Sequence, residues 1–558
     1  MITKLERLLL VLTVLLCTNC VENKEEKVPA PKIVNIVNFI RQLEPRNEEI
    51  TEDVLYETVH EQIKLMTQYK LPGTFLLQYD ALMNPRYQAL LKEEIKRGSE
   101  VGGWWEITQP HVEAAGLKWR GRYPWDWHAD VGFATGYTPQ EREKLVDVYM
   151  EKFKSIFGKY PASIGSWFID AHSLAYMYDK YGIVASCNCK DQVGTDGYTL
   201  WGGYWNQAYY PSRKNAYMPA QNIDNQIPVP IFRMLGSDPI YQYDNGIGGN
   251  LQGVITLEPV YGGAGSDLDW VKWFVKTIAE EPCLAFNYAQ AGQENSFTWN
   301  VMQKGFEIQM PLLAAYRDSN KIRVETLEES GKWFKKQFPL TPATAFTALT
   351  DVRDEGRKTV WFNSRYYRAN LLWEGNTVYF RDIHLFDEQY PSDYLTKAGT
   401  SNQCVYTTLP IIDGCLWSNA EKLAGLRFKQ INKDGSRESL ALGTPVVTEP
   451  SKGVLQIECK ATSGNIFRIL FYEDRFEVKC EPITNDFSWV LEFTKASNAP
   501  LPFFSIGGKS LDARLNGFDY KIYCKEGHIE IIKDVELPCF HLIPSNNILV
   551  VDCTNHPQ

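Results

Sequence analysis

Residues 73–107 read GTFLLQYDALMNPRYQALLKEEIKRGSEVGGWWEI. GTFLLQYD (73–80) and SEVGGWWEI (99–107) are apolar, aromatic-bearing runs bounded by glycine or serine, the pattern of buried strands. Between them YQALLKEEIKRG (87–98) has helical spacing and stops at Gly98, a C-cap signal. Strand, helix, strand in so short a span predicts a crossover unit, and a crossover unit implies parallel strands.

The same alternation extends in both directions. Further strands are predicted at IVNIVNFI (33–40), ASIGSWFID (162–170), GIVASCNC (182–189), PVPIFRML (228–235), GVITLEPVY (253–261) and CLAFNYAQ (283–290). Helices are predicted at 51–69 with Thr51 as N-cap, at 138–158 with Thr138 as N-cap, Pro139 at N1 and Gly158 at the stop, and at 267–280. About seven or eight such units argue for an α/β barrel. Residues 301–340 read as a helical bridge. From about residue 341 to 558 the texture changes to period-2 alternation with turn signals, as in RKTVWFN and IFRILFYEDRFEVKC, which predicts a β-sandwich domain. The barrel domain is therefore placed at 33–300.

The chain has 558 residues, 44% hydrophobic and 23% charged, with a net charge of -10. That composition suits a multidomain globular protein and argues against nucleic acid as a partner. The N-terminus reads as an export signal: Lys4 and Arg7 precede an apolar stretch, Leu8–Leu16, too short to span a bilayer. CTNC follows, resembling a lipoprotein signal in which Cys20 is lipidated; the acidic VENKEE beyond it resembles surface-export signals of Bacteroidetes lipoproteins. Residues 1–20 are thus read as signal peptide and 21–32 as a tether, giving a palmitate-bearing outer-membrane lipoprotein exposed at the cell surface. Cys187 and Cys189, one residue apart, are poorly spaced for a mutual disulfide and read as buried thiols.

Chemistry concentrates at 99–130, where Trp104, Trp105, Trp119, Trp125 and Trp127 interleave with Glu106, His111, Asp126, His128 and Asp130. Aromatic faces cover pyranose rings while carboxylates bond hydroxyls or move protons, so this is the composition of a sugar-binding cleft. A second loop, 195–222, adds Trp201 and Trp205. Arg120 and Arg122 suit a sugar carboxylate, with pairing to nearby Asp as the structural alternative. In a barrel the C-terminal strand ends carry catalysis. Reading those ends gives Arg41, Glu44, Arg46, Asp80, Glu106, Asp170 with His172, Asp191, Glu258 and Glu294. Glycoside hydrolysis needs two carboxylates. Asp170, at the end of an apolar strand, is the first candidate, with Glu294 or Glu258 as its acid/base partner; the alternative is that Asp170 caps the next helix and His172 is packed. Glu106, Trp105, Trp125, Asp126, Trp127, His128, His172, Arg120, Arg122, Trp201 and Trp205 are the substrate-binding candidates.

The order of the first 170 residues resembles the glycoside hydrolase/deacetylase superfamily, which includes polysaccharide deacetylases and the family 57 and family 38 glycosidases. GTFLLQYD resembles its second strand, SEVGGWWEITQPH stands where a deacetylase has H-E-I-G-x-H-T-x-x-H-P, and GSWFIDAHSLAYMYDKYGI resembles the strand and helix that follow. The resemblance implies an irregular (β/α)7 barrel and places Asp170 where family 57 enzymes carry their nucleophile. The first strand, however, runs NFIRQLEPR without the paired aspartates of deacetylases. The metal-binding histidines are replaced by Trp104, Trp105, Thr108 and Gln109, and the family 38 His-x-Asp strand end is absent as well. Two-carboxylate chemistry on an oligo- or polysaccharide, with no metal and no cofactor, is the expectation. Two alternatives stand: a divergent deacetylase with a metal built from Asp126, His128, Asp170 or His172, and a non-catalytic glycan-binding lipoprotein.

Overall fold

The computed structural model describes residues 29–248, 255–496, 499–532 and 539–556. The signal, Cys20 and most of the tether lie outside the described residues.

Seven parallel strands form the first sheet: β1 (Lys32–Ile40), β2 (Thr74–Leu77), β3 (Glu100–Trp104), β4 (Ser163–Gly165), β5 (Ala185–Asn188), β6 (Ile231–Arg233) and β7 (Asn287–Ala291). Their order is β7-β1-β2-β3-β4-β5-β6. β1 serves two neighbours in turn, pairing β7 through Lys32–Ile36 and β2 through Val37–Ile40. Among the described residues β6 and β7 share no ladder. They meet through side chains, with the Phe232 and Tyr288 rings 5.0 Å apart and Gln207 donating to Asn287 at 2.9 Å. The sheet is therefore a nearly closed barrel. Gly102 permits its tight curvature at β3: a Cβ there would lie 2.4 Å from the Ser163 carbonyl oxygen of β4.

Two predicted strands behave differently. GVITLEPVY contributes only an isolated bridge, Ser237 to Thr256, among its described residues, and then turns. Pro259 removes a ladder donor there, and Gly262 and Gly263 follow. CLAFNYAQ breaks at Ala285, whose φ is +48°. Cys283–Leu284 pairs antiparallel with the second domain, and only the later part becomes β7. ASIGSWFID is strand for Ser163–Gly165 alone, and the rest leads out of the barrel mouth.

Around the barrel run α1 (Glu52–Gln68), α2 (Pro85–Lys96), α3 (Pro139–Phe157), α4 (Ala171–Tyr181), α5 (Leu268–Glu280), α6 (Trp299–Asp318) and α7 (Leu327–Gln337). Their ends carry the expected chemistry. Thr51 accepts from the Val54 N–H, Thr138 and Glu141 form a capping box, and Gly158 closes α3 at φ +80°. α7 plugs the N-terminal end of the barrel: Leu327 and Phe334 join the interior cluster with Phe232 and Tyr288, and Asn35 of β1 donates to the Ser330 hydroxyl at 2.8 Å. Above that plug, Phe39 stacks on Trp104 at 4.2 Å and Trp167 meets both edge-on. The barrel is thus filled between the α7 plug and its polar C-terminal mouth.

Beyond α7 the chain is antiparallel. Two large sheets, one holding Tyr367–Glu374 and Thr377–Leu385 and the other Ile466–Phe471 and Arg475–Glu481, face each other. Their aromatics interdigitate, with Phe362 and Phe471 5.2 Å apart and Phe380 and Phe476 5.1 Å apart. The loop 195–222 is part of the junction with this β-rich domain. Trp205 lies flat on Trp361 at 4.4 Å, and the Trp201 indole donates to Asp413 at 2.7 Å. Arg368 of the second domain reaches Asp191 at the end of β5 at 2.5 Å and also pairs with Asp382. Cys187 and Cys189 are free and buried.

Candidate active site

β1 delivers Arg41 directly after its buried run, and Arg41 is itself 1% exposed. An arginine there requires carboxylates. β3 delivers Glu106 and the segment after β7 delivers Glu294. Arg41 donates to both Glu106 oxygens, Nη2 to Oε1 at 2.8 Å and Nε to Oε2 at 3.1 Å, and through Nη1 to Glu294 Oε1 at 3.0 Å. Gln78, after β2, also donates to Glu106. Ser296 donates to Glu294 Oε1 at 2.6 Å. The belt continues: Gln293 accepts from the Glu294 N–H at 2.8 Å and donates to Glu258 at 2.7 Å. A chain of polar groups therefore crosses the barrel mouth from Gln78 to Glu258.

The carboxyls are not equivalent. Burial pushes Glu294 up to about 7; Arg41 opposes this and Glu106 adds to it. Its Oε2 accepts no hydrogen bond. Asp80, beside the end of β2, is also pushed up to about 7, by burial first, against the Ala81 N–H and with help from Glu106, and its Oδ2 is likewise unpartnered. Glu258 is raised by burial against its donors Gln293 and Thr256. The Lys190 ammonium at the end of β5 is lowered by burial. Glu294, Glu44, Arg46, Asn47, Ile50, Ser296 and Phe297 line a hollow of about 210 Å3, large enough for roughly one sugar ring. Three larger cavities, about 250, 860 and 1240 Å3, are lined by residues such as Glu100 and Glu328, Leu71 and Arg323, or Trp333 and Phe338, at the α7 end of the barrel, away from these carboxyls.

An aromatic ladder rises from the belt. The Arg41 guanidinium lies 4.1 Å from the centre of the Trp125 ring, and Arg46 lies over Trp125 and Trp127 at 5.1 and 5.6 Å. Trp127 stacks on Tyr123, which is exposed. The loop is held down by a bridge between Thr108 and Trp125 and by the Gln109 N–H on the Pro124 carbonyl.

The other sequence candidates sit elsewhere. Asp170 caps α4 by accepting from the Ser173 N–H and is paired with buried Arg142 at 2.9 Å. The structure gives it these partners and joins Glu294 to Glu106 instead, because the chain leaves β4 at Gly165 and Asp170 is spent starting the next helix. His172 faces Glu143 at 3.0 Å on the outer helices. Arg122 and Asp126 satisfy each other through two side-chain hydrogen bonds, 2.9 and 2.6 Å, which hold Asp126 at about 2 against the upward push of burial. Arg120 donates to the Asp130 and Gly136 carbonyls. Neither arginine is left for a sugar carboxylate. The His128 N–H donates to Asp126 at 3.2 Å. Trp105 packs against His111 and Tyr149 behind β3, and Trp201 and Trp205 belong to the domain junction, so these three do not line the mouth. Arg41 was visible only as a strand end, and Gln78, Gln293 and Ser296 gave no signal. A cation directly after a buried strand is the cue that could have found the centre.

The superfamily's metal cage does not fit this mouth. Its donors are carboxylates, and the fixed charge of Arg41 stands between two of them. Asp126, Asp170 and His172 are engaged by Arg122, Arg142 and Glu143 respectively, and the His128 ring lies edge-on to Trp127. Among the described residues, three ligand atoms within 4.8 Å of one another occur at Glu57, His60 and Glu61, one exposed turn of α1.

No protein-family model matches this sequence, and no curated protein matches it. Solved structures do. A provisionally named glycoside hydrolase/deacetylase from Parabacteroides distasonis matches with a TM-score of 0.52 at 17% identity, over 69% of this chain and 92% of that one. A provisionally named polysaccharide deacetylase from Mycobacterium smegmatis matches at 9% identity and a TM-score of 0.34, over 56% and 92%. A 4-alpha-glucanotransferase from Thermococcus litoralis matches at 8% and 0.30, over 94% and 97%. The chain shares the fold of the Parabacteroides protein.

Proposed function

We propose that this protein is a carbohydrate-active hydrolase whose reaction centre is the Glu106–Arg41–Glu294 cluster, with glycoside hydrolysis as its reaction. One observation carries the reading: Glu294 is a buried carboxyl pushed up to about 7, with one oxygen unpartnered, at the wall of a sugar-sized hollow. Such a group suits proton transfer near neutral pH. Glu106, gripped by Arg41, is the fixed carboxylate opposite. Glu258 supports Glu294 through Gln293. Trp127, half-buried beside exposed Tyr123, offers an aromatic face at the rim, while buried Trp125 supports Arg41 and Arg46 from beneath. The Parabacteroides neighbour's name spans glycoside hydrolysis and deacetylation, so removal of an acetyl group from a sugar is the second reading. Incubation with a panel of nitrophenyl glycosides and acetylated polysaccharides, reading reducing ends and free acetate separately, tests both. Release of reducing ends supports the first reading, acetate alone the second, and neither product overturns both.

The same proposal places the protein on the cell envelope, anchored through Cys20 as an outer-membrane lipoprotein. No described helix is long and apolar enough to cross a membrane. Cys20→Ala is expected to release the protein into the soluble fraction or to block its processing, and unchanged membrane attachment would contradict the anchor.

A further inference from the structure

Besides Glu258, which Gln293 and Thr256 hold, two guanidiniums serve five carboxyls at the barrel mouth. Arg41 contacts Glu106, Glu294 and, at 3.9 Å, Glu44. Arg46 contacts Glu44 at 2.6 Å and Asp196 at 3.0 Å. Asp80 is the fifth carboxyl and has no cationic partner among the described contacts. Of the other nearby cations, Lys190 donates to the Asp191 carbonyl at 3.1 Å and acts electrostatically on Glu258, and Arg122 is taken by Asp126. Buried carboxyls left without a cation are costly, and proteins answer by keeping some of them protonated. The raised values of Glu294 and Asp80 have that character.

The imbalance faces the hollow. Glu44 and Glu294 both line it and both approach the same Arg41 nitrogen, Nη1. Glu294 is 3% exposed and its Oε2 accepts nothing. A sugar hydroxyl would satisfy that oxygen but leave the charge uncorrected. A sugar ammonium would do both.

We propose that the hollow beside Glu44 and Glu294 takes a hexosamine residue with a free amino group, making the substrate class an amino-sugar oligosaccharide rather than a neutral or acidic one. This rests on the carbohydrate reading of the same cluster and narrows it. The ammonium sits between Glu44 and Glu294 Oε2, the ring faces Phe297 and Ile50, and the remainder of the oligosaccharide extends toward the Trp125–Trp127 ladder. Because the added cation favours the ionised form of Glu294, turnover on an amino sugar has its optimum at lower pH than turnover on a neutral one.

Calorimetric titration at pH 7 with four probes tests this: the trisaccharides of glucosamine, N-acetylglucosamine, glucose and galacturonic acid. The glucosamine trimer is expected to bind about tenfold or more tightly than the other three, an advantage that shrinks in about 0.5 M salt. Glu44→Gln is expected to abolish the preference, and Asp196→Asn, at the exposed edge and outside the hollow's lining, to reduce it while leaving binding of the neutral trimers near its original strength. Equal or tighter binding of a neutral or acidic trimer overturns the amino-sugar proposal and leaves the carbohydrate reading standing. Binding of none of the four overturns both.

Discussion

Arg41 holds Glu106 by both carboxylate oxygens, at 2.8 and 3.1 Å, with almost no water access. The pair joins the end of the first barrel strand to the end of the third, and its remaining guanidinium nitrogen reaches Glu294. A bidentate buried contact of this kind is geometry that lysine cannot reproduce. Arg41→Met is expected to destabilise the protein by about 3–5 kcal/mol, since it strands two buried carboxyls. Arg41→Lys is expected to be milder in stability yet severe in turnover. Urea denaturation of both variants, read alongside activity, checks this; a stable and active Arg41→Met would contradict it.

Stability should fall as pH rises through the range where Glu100, Asp80 and Glu294 titrate. Glu100, at the start of β3, is raised by burial from 4.5 to about 7. A carboxyl whose folded value is raised binds its proton more tightly when folded, so its contribution is fully present below about 4.5 and is lost as pH rises toward 7. Glu100 lies at the end of the barrel opposite the proposed centre, bonded to the Glu328 N–H at 2.8 Å and to Thr74 at 3.1 Å. Glu100→Gln is therefore expected to shrink the drop in denaturation midpoint between pH 5 and pH 8 without altering turnover. An unchanged pH dependence would show that Glu100 ionises freely.

Asp170 should behave as a structural residue. It caps α4 and neutralises Arg142, which also donates to the Ala134 and Tyr137 carbonyls. Asp170→Ala is expected to cost about 3–5 kcal/mol by stranding a buried guanidinium and removing the cap. Thermal melting checks this: an Asp170→Ala protein that melts normally but has lost its activity would return Asp170 to the reaction.

The barrel and the β-rich domain should unfold together. Trp205 on Trp361, Trp201 on Asp413 and Arg368 on Asp191 tie them through buried contacts. Trp205→Ala is expected to cost about 3–5 kcal/mol. In calorimetry it should separate one melting transition into two, and two transitions already present in the unmodified protein would contradict the linkage.

The architecture was legible where signals were local and repeated. Thr51, Thr138 and Gly158 mark helix ends by the hydrogen bonds they make, and the change to period 2 after residue 340 follows from antiparallel strands with one buried face. The failures came from long-range decisions. In GVITLEPVY only Pro259 hints that the segment will turn after a single bridge instead of entering the sheet. Trp201 and Trp205 have the composition of a sugar platform, and only the arrival of Trp361 and Asp413 from the second domain makes them a junction. Asp170 has the same local sequence whether it caps a helix or faces a substrate; its capture by Arg142 from α3 decides between them. Glu106 and Glu294 stood among many carboxylates, and only Arg41, more than sixty residues from one and two hundred fifty from the other, brings them together.

Turnover by Glu294→Gln, measured beside Glu106→Gln and the unmodified protein on whichever glycoside the panel identifies, tests the central claim most directly. The account predicts that Glu294→Gln melts within a few degrees of the parent, because it replaces a carboxyl with a raised pKa by a near-isosteric amide, whereas Glu106→Gln melts lower but stays folded, because it loses one half of the two-oxygen grip of Arg41. Both should lose about a thousandfold or more in kcat/KM, and Glu294→Gln should also lose the limb of the pH profile near 7. A Glu294→Gln protein that keeps its rate within about tenfold of the parent, with the pH profile unchanged, would contradict it.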